Sequence, residues 1–335
     1  MSDNWSRHFE LQLLKEDGSG IALSNFKVTF KVEWHTGSSP KTAEVKIYNL
    51  APDSVNRIAQ KEFTKIRLIA GYNGLEPIVN SSEVGKVRIV DPAEWGARDG
   101  MNFGVIFSGD IRIWMTGRET SVDDWLLIQA MDGHEALTSA VLSATLAKGY
   151  TVKDMYQLAA GALKPFGIFP GRLPPLPETK FPRGYTFHGK VSSYLDQIGE
   201  LCKASWKLSN DRLDYYSNTE KAHPPINLNS QNGLIGRPQT STNAGVTLKC
   251  LINPNILLNG QVKLDQNTLY KPALVENDKY THPSPDGIYD VYGIAYSGDT
   301  RAQNWYMTMM CFPAGQPVDK VDEKWTKSPA SQEKV

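Results

Sequence analysis

The chain has no long hydrophobic run. No stretch of its 335 residues approaches the ~20 apolar residues of a membrane-crossing helix, so no membrane contact is expected. Cysteine is scarce: Cys202, Cys250 and Cys311 lie far apart, with neither CxxC nor zinc spacing. That excludes a disulfide scaffold and fits a reducing compartment, where the three act as small buried hydrophobes. Net charge is missing as well, with 36 Lys plus Arg against 36 Asp plus Glu. A tight non-specific duplex binder is normally basic, so DNA is not expected as a held ligand. The first residues carry no apolar core, and no signal peptide is expected. GxSxG, P-loop and GxGxxG motifs are absent, and the six histidines are scattered without HExxH spacing. No cofactor and no metal are expected.

What is present is alternation. Phe26 to Trp34 places apolar residues at every even position, the mark of a strand with one dry face. Thr42 to Leu50 repeats the pattern. Asn49-Leu50-Ala51-Pro52-Asp53 then breaks it, and Pro52 opens a short helix carrying Val55, Ile58 and Ala59. Phe9 to Leu13, Ile66 to Tyr72 and Val105 to Phe107 read as further strands. Ser108-Gly109-Asp110 reads as a turn, after which Ile111 and Ile113 resume. Trp125 to Ala130 is apolar on both faces and reads as a central strand.

A length of 335 residues implies two or three domains, at about 100–200 residues each. Residues 1–135 read as a strand-rich barrel, interrupted at 73–104 by a loop or protruding hairpin. Residues 136–225 change character to a small α+β module. Thr151 with Asp154 caps one helix there, and a proline-rich loop follows at 164–184. A second helix from Ser192 to Lys203 buries Leu195, Ile198, Leu201 and Cys202, and a hairpin turns at Asn210-Asp211. Residues 226–312 return to strands, the longest expected from Ile288 to Tyr296. Residues 313–335 form a polar tail whose single aromatic residue, Trp325, is the expected interface anchor.

Ser108-Gly109-Asp110-Ile111-Arg112 and Ser297-Gly298-Asp299-Thr300-Arg301 echo one another, which suggests a duplicated β domain. Asp110 and Asp299 would serve a glycosidase if they faced each other at roughly 5–10 Å. Each is followed closely by an arginine, Arg112 or Arg301, and an ion-paired or turn-capping structural role is the simpler reading, with Trp305 opening the next strand. The 8 tryptophans and 14 tyrosines lie mostly on strand patterns and read as core rather than as a sugar- or base-stacking platform.

These segments resemble a known family. Thr42 to Pro52, Arg57-Ile58 and Ala70-Gly71-Tyr72 are similar to the opening of tail baseplate hub proteins of long-tailed, contractile-tailed bacteriophages. Ala130-Met131-Asp132-Gly133, Gly149-Tyr150-Thr151 and Arg183 to Gly189 continue the likeness in order. So do Gly233 to Pro238, Cys250 to Pro254 and Gly287 to Ile294, ending at Gly298 to Arg301 and Trp305. The segment 73–104 departs from the family pattern. The resemblance implies a β-rich α+β fold, with two tube-like β-barrels flanking a small α+β module. It implies a homotrimer that adapts a sixfold tail tube to a threefold spike and lines the channel for DNA and tape measure protein. The implied partners are the tail tube protein, a trimeric spike or tail-tip protein and other baseplate proteins. DNA passes only transiently, and the location is the virion tail after assembly in the host cytoplasm. Asn49, Pro52, Asp110, Arg112, Asp299, Arg301 and Trp305 then carry structural roles, and no catalytic residue is expected. Alternatives are the equivalent hub of an injection system or phage-tail-like bacteriocin, a hub with cell-wall hydrolase activity, and a carbohydrate-binding receptor.

Overall fold

The computed structural model describes residues 6–23, 25–36, 39–73, 87–90, 102–217, 220–241, 245–265, 284 and 286–314. The N-terminal flank contains β1 (Arg7–Leu14), β2 (Gly20–Leu23), β3 (Val28–His35), β4 (Thr42–Tyr48) and helix α1 (Pro52–Ala59). It continues through β5 (Lys65–Tyr72), β6 (Val87–Val90), β7 (Asn102–Arg118) and β8 (Asp124–Met131). The middle module follows with α2 (His134–Ser139), β9 (Val141–Leu146), α3 (Val152–Leu163) and β10 (Phe169–Pro170). It ends with β11 (Tyr185–Lys190), α4 (Val191–Cys202), β12 (Ala204–Ser209) and β13 (Arg212–Ser217). The C-terminal flank has β14 (Ile226–Leu228), β15 (Leu234–Ser241), β16 (Gly245–Leu251), β17 (Gln261–Leu264), β18 (Ile288–Asp299) and β19 (Trp305–Pro313).

The protein is β-rich, as the alternation implies. In β3 the even residues are buried and the odd ones wetter, as read from sequence. The capping box at Thr151 is formed: Asp154 Oδ2 accepts the Thr151 N–H, and the Thr151 hydroxyl accepts the Asp154 N–H. The two flanks, however, do not close into separate barrels. Their strands form one open 14-stranded sheet, in the order β15-β16-β19-β18-β3-β4-β8-β7-β5-β1-β2-β6 with β14 and β17 alongside β18. The link is the antiparallel pairing of β18 with β3, from Gly293 opposite His35 to Asp299 opposite Thr29. Without that pairing, both strands would present unpaired backbone groups.

Among the described residues two large hydrophobic cores result, with Leu14 and Ala22 forming a small third cluster. One runs through both flanks, from Leu11, Phe30 and Val45 to Leu248, Ile294 and Met309. The other belongs to the module and gathers Met155, Leu163, Tyr194, Ile198 and Tyr215. Tyr215 of β13 lies in the module core while its neighbour Tyr216 packs against the larger one, so this strand stands at the boundary.

Several expectations need correction. Ser108-Gly109-Asp110 is not a turn: β7 runs straight through it for 17 residues and is longer than β18, which has 12. Gly109 is there for close approach, since a Cβ would sit 2.8 Å from the Asp132 Cα and the Phe107 ring. β8 is central, between β4 and β7, yet it alternates buried and wetter residues rather than burying both faces. In α4, Leu201 is 41% exposed because it falls off the face that buries Tyr194, Leu195 and Ile198, while Cys202 is partly buried against the module core. Of segment 73–104, residue 73, strand β6 paired with β2, and the start of β7 are described; of the expected tail, Pro313 ends β19 and Ala314 follows it, and the rest of both segments, Trp325 included, lies outside the described residues.

Candidate functional site

Three of the sequence-selected residues, Asp299, Arg301 and Trp305, gather at the seam where β18 meets β3. Asp299 ends β18, and its Oδ1 accepts the N–H groups of Arg301 at 2.7 Å and Ala302 at 3.0 Å, capping the turn into β19. Thr300 ties this turn to β3: its hydroxyl donates to Phe26 O at 2.8 Å and accepts Val28 N–H at 3.0 Å. Arg301 donates to Asn25 O at 2.5 Å. Arg7, which sequence reasoning missed, reaches in from β1 and donates to Ala302 O at 2.5 Å and Gln303 O at 3.0 Å. Beneath the turn, Trp305 is 2% exposed and meets Phe30 edge-on at 5.3 Å between centroids, with Phe9 behind. Gly298 makes room for this, since a Cβ there would fall 2.4 Å from the Phe30 ring.

Asn49 serves a second junction. It takes a left-handed conformation (φ 54°), which asparagine tolerates, and bridges β4 to the β7–β8 hairpin. Its Oδ1 accepts Asp124 N–H at 3.0 Å and its Nδ2 donates to Asp123 at 3.2 Å. Pro52 begins α1, where its missing N–H has no consequence.

Asp110 does not join Asp299. Its Oδ2 accepts the Glu135 N–H at 3.0 Å at the start of the module, and its other oxygen lies 4.0 Å from Lys65. The repeated pentapeptide therefore occupies different places, once inside a strand and once at a strand end with its turn.

The joint between module and sheet is the feature the sequence concealed. The β12–β13 hairpin turns at Asn210 and Asp211, both left-handed (φ 52° and 62°), and inserts that tip against the sheet. Asp211 accepts from Lys65 Nζ at 2.9 Å and from the Ser108 hydroxyl at 2.6 Å. Asn210 Oδ1 accepts from Lys41 Nζ at 2.9 Å and from Ser108 N–H at 3.2 Å, while its own N–H donates to Asp132 Oδ2 at 2.5 Å. Lys207 donates to the carbonyls of His35 and of Ser39, the latter at 2.7 Å. Burial pushes the Asp132 carboxyl well up, against the pull of Lys41, and pushes the Lys41 and Lys207 ammonium groups down. Nothing in the local sequence marks Lys41, and the Ala130 to Gly133 likeness marks Asp132 without its partners, which lie on distant elements.

The third feature is an open strand edge. β7 pairs with β5 through residues 102–110 and with β8 through residues 110–118. Beyond Ile111, whose N–H donates to Thr64 O, the β5-side edge has no strand beside it among the described residues. Ile113, Trp114 and Met115 are exposed there by 48%, 36% and 41%, next to exposed Arg112. The edge at β15 is different: a register shift between Ile235 and Gln239 and the ring of Pro238 blunt it.

The fold is one found in phage tail proteins. A 43 kDa tail protein of prophage MuSo2 from Shewanella oneidensis matches 92% of this chain and 99% of its own, with a TM-score of 0.51 at 9% identity. A chain of the PdpA–VgrG complex, in its lidless form, matches 95% of this chain and 66% of its own, with a TM-score of 0.50 at 8% identity. A tail protein from Neisseria meningitidis covers 92% of this chain and 96% of its own at 10% identity, with a TM-score of 0.49. No protein-family model matches the chain, and no curated protein does.

Proposed function

We propose that the chain is a structural baseplate hub protein of a phage tail, a homotrimer that adapts a sixfold tail tube to a threefold spike. In this reading residues 1–135 and 226–312 are tube-like units, residues 136–225 the module between them, and 313–335 a tail that docks on neighbours through Trp325. The ring lines the channel for DNA and the tape measure protein. Its neighbours are the tail tube protein, a spike or tail-tip protein and other baseplate proteins. The balanced charge of the chain suits a wall along which DNA slides.

The observation that carries this reading is the open edge of β7. A flat edge strand bearing Ile113, Trp114 and Met115 is a hazard in a monomer and a natural joint in an assembly. Asp110 and Asp299 favour structure over hydrolysis, because each spends a carboxylate oxygen on backbone N–H groups. The equivalent hub of an injection system is the second reading, favoured by the likeness to the PdpA–VgrG chain.

Mass photometry and electron microscopy test the proposal. The wild-type chain forms threefold rings, alone or with tail tube protein, and Trp114→Lys leaves folded monomers. A wild-type chain that stays monomeric with and without tail components, or a Trp114→Lys ring at normal yield, overturns it.

A further inference from the structure

The tip of the β12–β13 hairpin brings together three side chains that the hub reading does not use. Lys41 is 1% exposed and points its Nζ at the Asn210 carboxamide, 2.9 Å from Oδ1, with the Trp34 ring 4.4 Å from the ammonium. The same Oδ1 receives the Ser108 N–H at 3.2 Å. Asp132 is 0% exposed, holds the Asn210 N–H on Oδ2, and has no hydrogen-bond partner for Oδ1 among the described residues. A buried amine, a half-buried carboxamide and a buried carboxyl thus share one site.

We propose that Lys41 and Asn210 join in an intramolecular amide bond, which staples the module to the sheet.

The step balances without an oxidant or co-reactant. The neutral Lys41 amine attacks Asn210 Cγ, and the Nζ–Cγ bond forms. The carbonyl electrons move onto Oδ1, where the Ser108 N–H stabilises the developing charge. The Cγ–Nδ2 bond then breaks, one Nζ proton passes to Nδ2, and the leaving group departs as ammonia. Asp132 is the carboxyl that delivers a proton to the departing nitrogen and receives one from the amine. Burial favours the reactive form of both partners: it makes Lys41 easier to deprotonate and Asp132 easier to protonate. Fixed proximity supplies the rest, since the fold holds amine and amide together across 169 positions of sequence.

Mass spectrometry of the denatured, purified full-length chain tests this directly. The expected mass is lower than the sequence mass by one ammonia, and digestion yields a branched peptide joining the segments of Lys41 and Asn210. An unmodified mass after prolonged incubation of the folded protein overturns the proposal. So does the same mass loss confined to one linear peptide at Asn210, which marks a succinimide. Asp132→Asn keeps amine and amide and is checked for native circular dichroism; it should abolish the branched peptide. Full linkage in folded Asp132→Asn overturns the proton route through Asp132.

Discussion

The two joints of this protein are built on opposite principles. Where the C-terminal flank meets the N-terminal one, β18 and β3 share a backbone ladder, and Trp305, Phe30 and Phe9 fill the space beneath it. Where the module meets the sheet, the contact is a polar hairpin tip set among Lys41, Lys65, Asp132 and Lys207. The first joint merges two flanks into one core, while the second leaves two cores apart. Apolar contact is indifferent to orientation, whereas buried polar groups tolerate only the geometry that satisfies them. The seam therefore supplies cohesion, and the module joint supplies register.

The comparison can be broken most sharply at Trp305. Trp305→Ala should cost about 3–5 kcal/mol, and both flanks should lose stability together in one denaturant transition. Separate transitions for the two flanks would show that they are not one body. Asp211→Ala comes next. It leaves Lys65 and the Ser108 hydroxyl without their partner and should cost about 2–3 kcal/mol. Hydrogen exchange should rise across β12, β13 and α4 while β3 and β18 stay protected; equal loosening of β18 would contradict the division.

The third test is a slope with pH. Asp132 has its folded carboxyl raised to about 7 from an ordinary 3.8, chiefly by burial. The folded state then holds the proton more tightly than the unfolded chain. Its contribution is full below pH 3.8 and is lost as pH rises through about 7. Asp132→Asn should flatten that fall in a series of urea melts, and an unchanged slope would place the titration elsewhere. The smallest effect belongs to Asn49→Ala, which removes a bridge to the exposed hairpin end and should cost about 1 kcal/mol in a thermal melt.

How much of this was legible follows from the same contrast. Strands with one wet face announce themselves, so β3, β4 and β16 could be read from alternation, as could α3 from its cap and the Asn210-Asp211 turn from its residue types. The Asp299 turn was legible because asparagine, aspartate and glycine act locally. The continuity of β7 was hidden because glycine serves both turns and close approaches, and only Phe107 and Asp132 in place distinguish them. The pairing of β3 with β18 was hidden because alternation reports a face and not a neighbour. Lys41 and Lys207 carry no local signal, and Asp132 stands out only within the Ala130 to Gly133 likeness, because what buries them comes from distant elements.

The β3–β18 pairing also bears on the order of events during synthesis. The Val28 N–H finds its hydroxyl acceptor 272 positions downstream, at Thr300. While the nascent chain is being made, β3 can pair with β4 early, but its other edge must wait until β18 has left the ribosome. Contacts this distant in sequence are reached slowly, because loop closure precedes any gain from pairing. For most of translation, the N-terminal flank therefore exposes an unfinished edge with Phe30 beside it. The arrival of β18 acts as a quality check: a chain truncated before it keeps that edge open and is marked for aggregation or degradation.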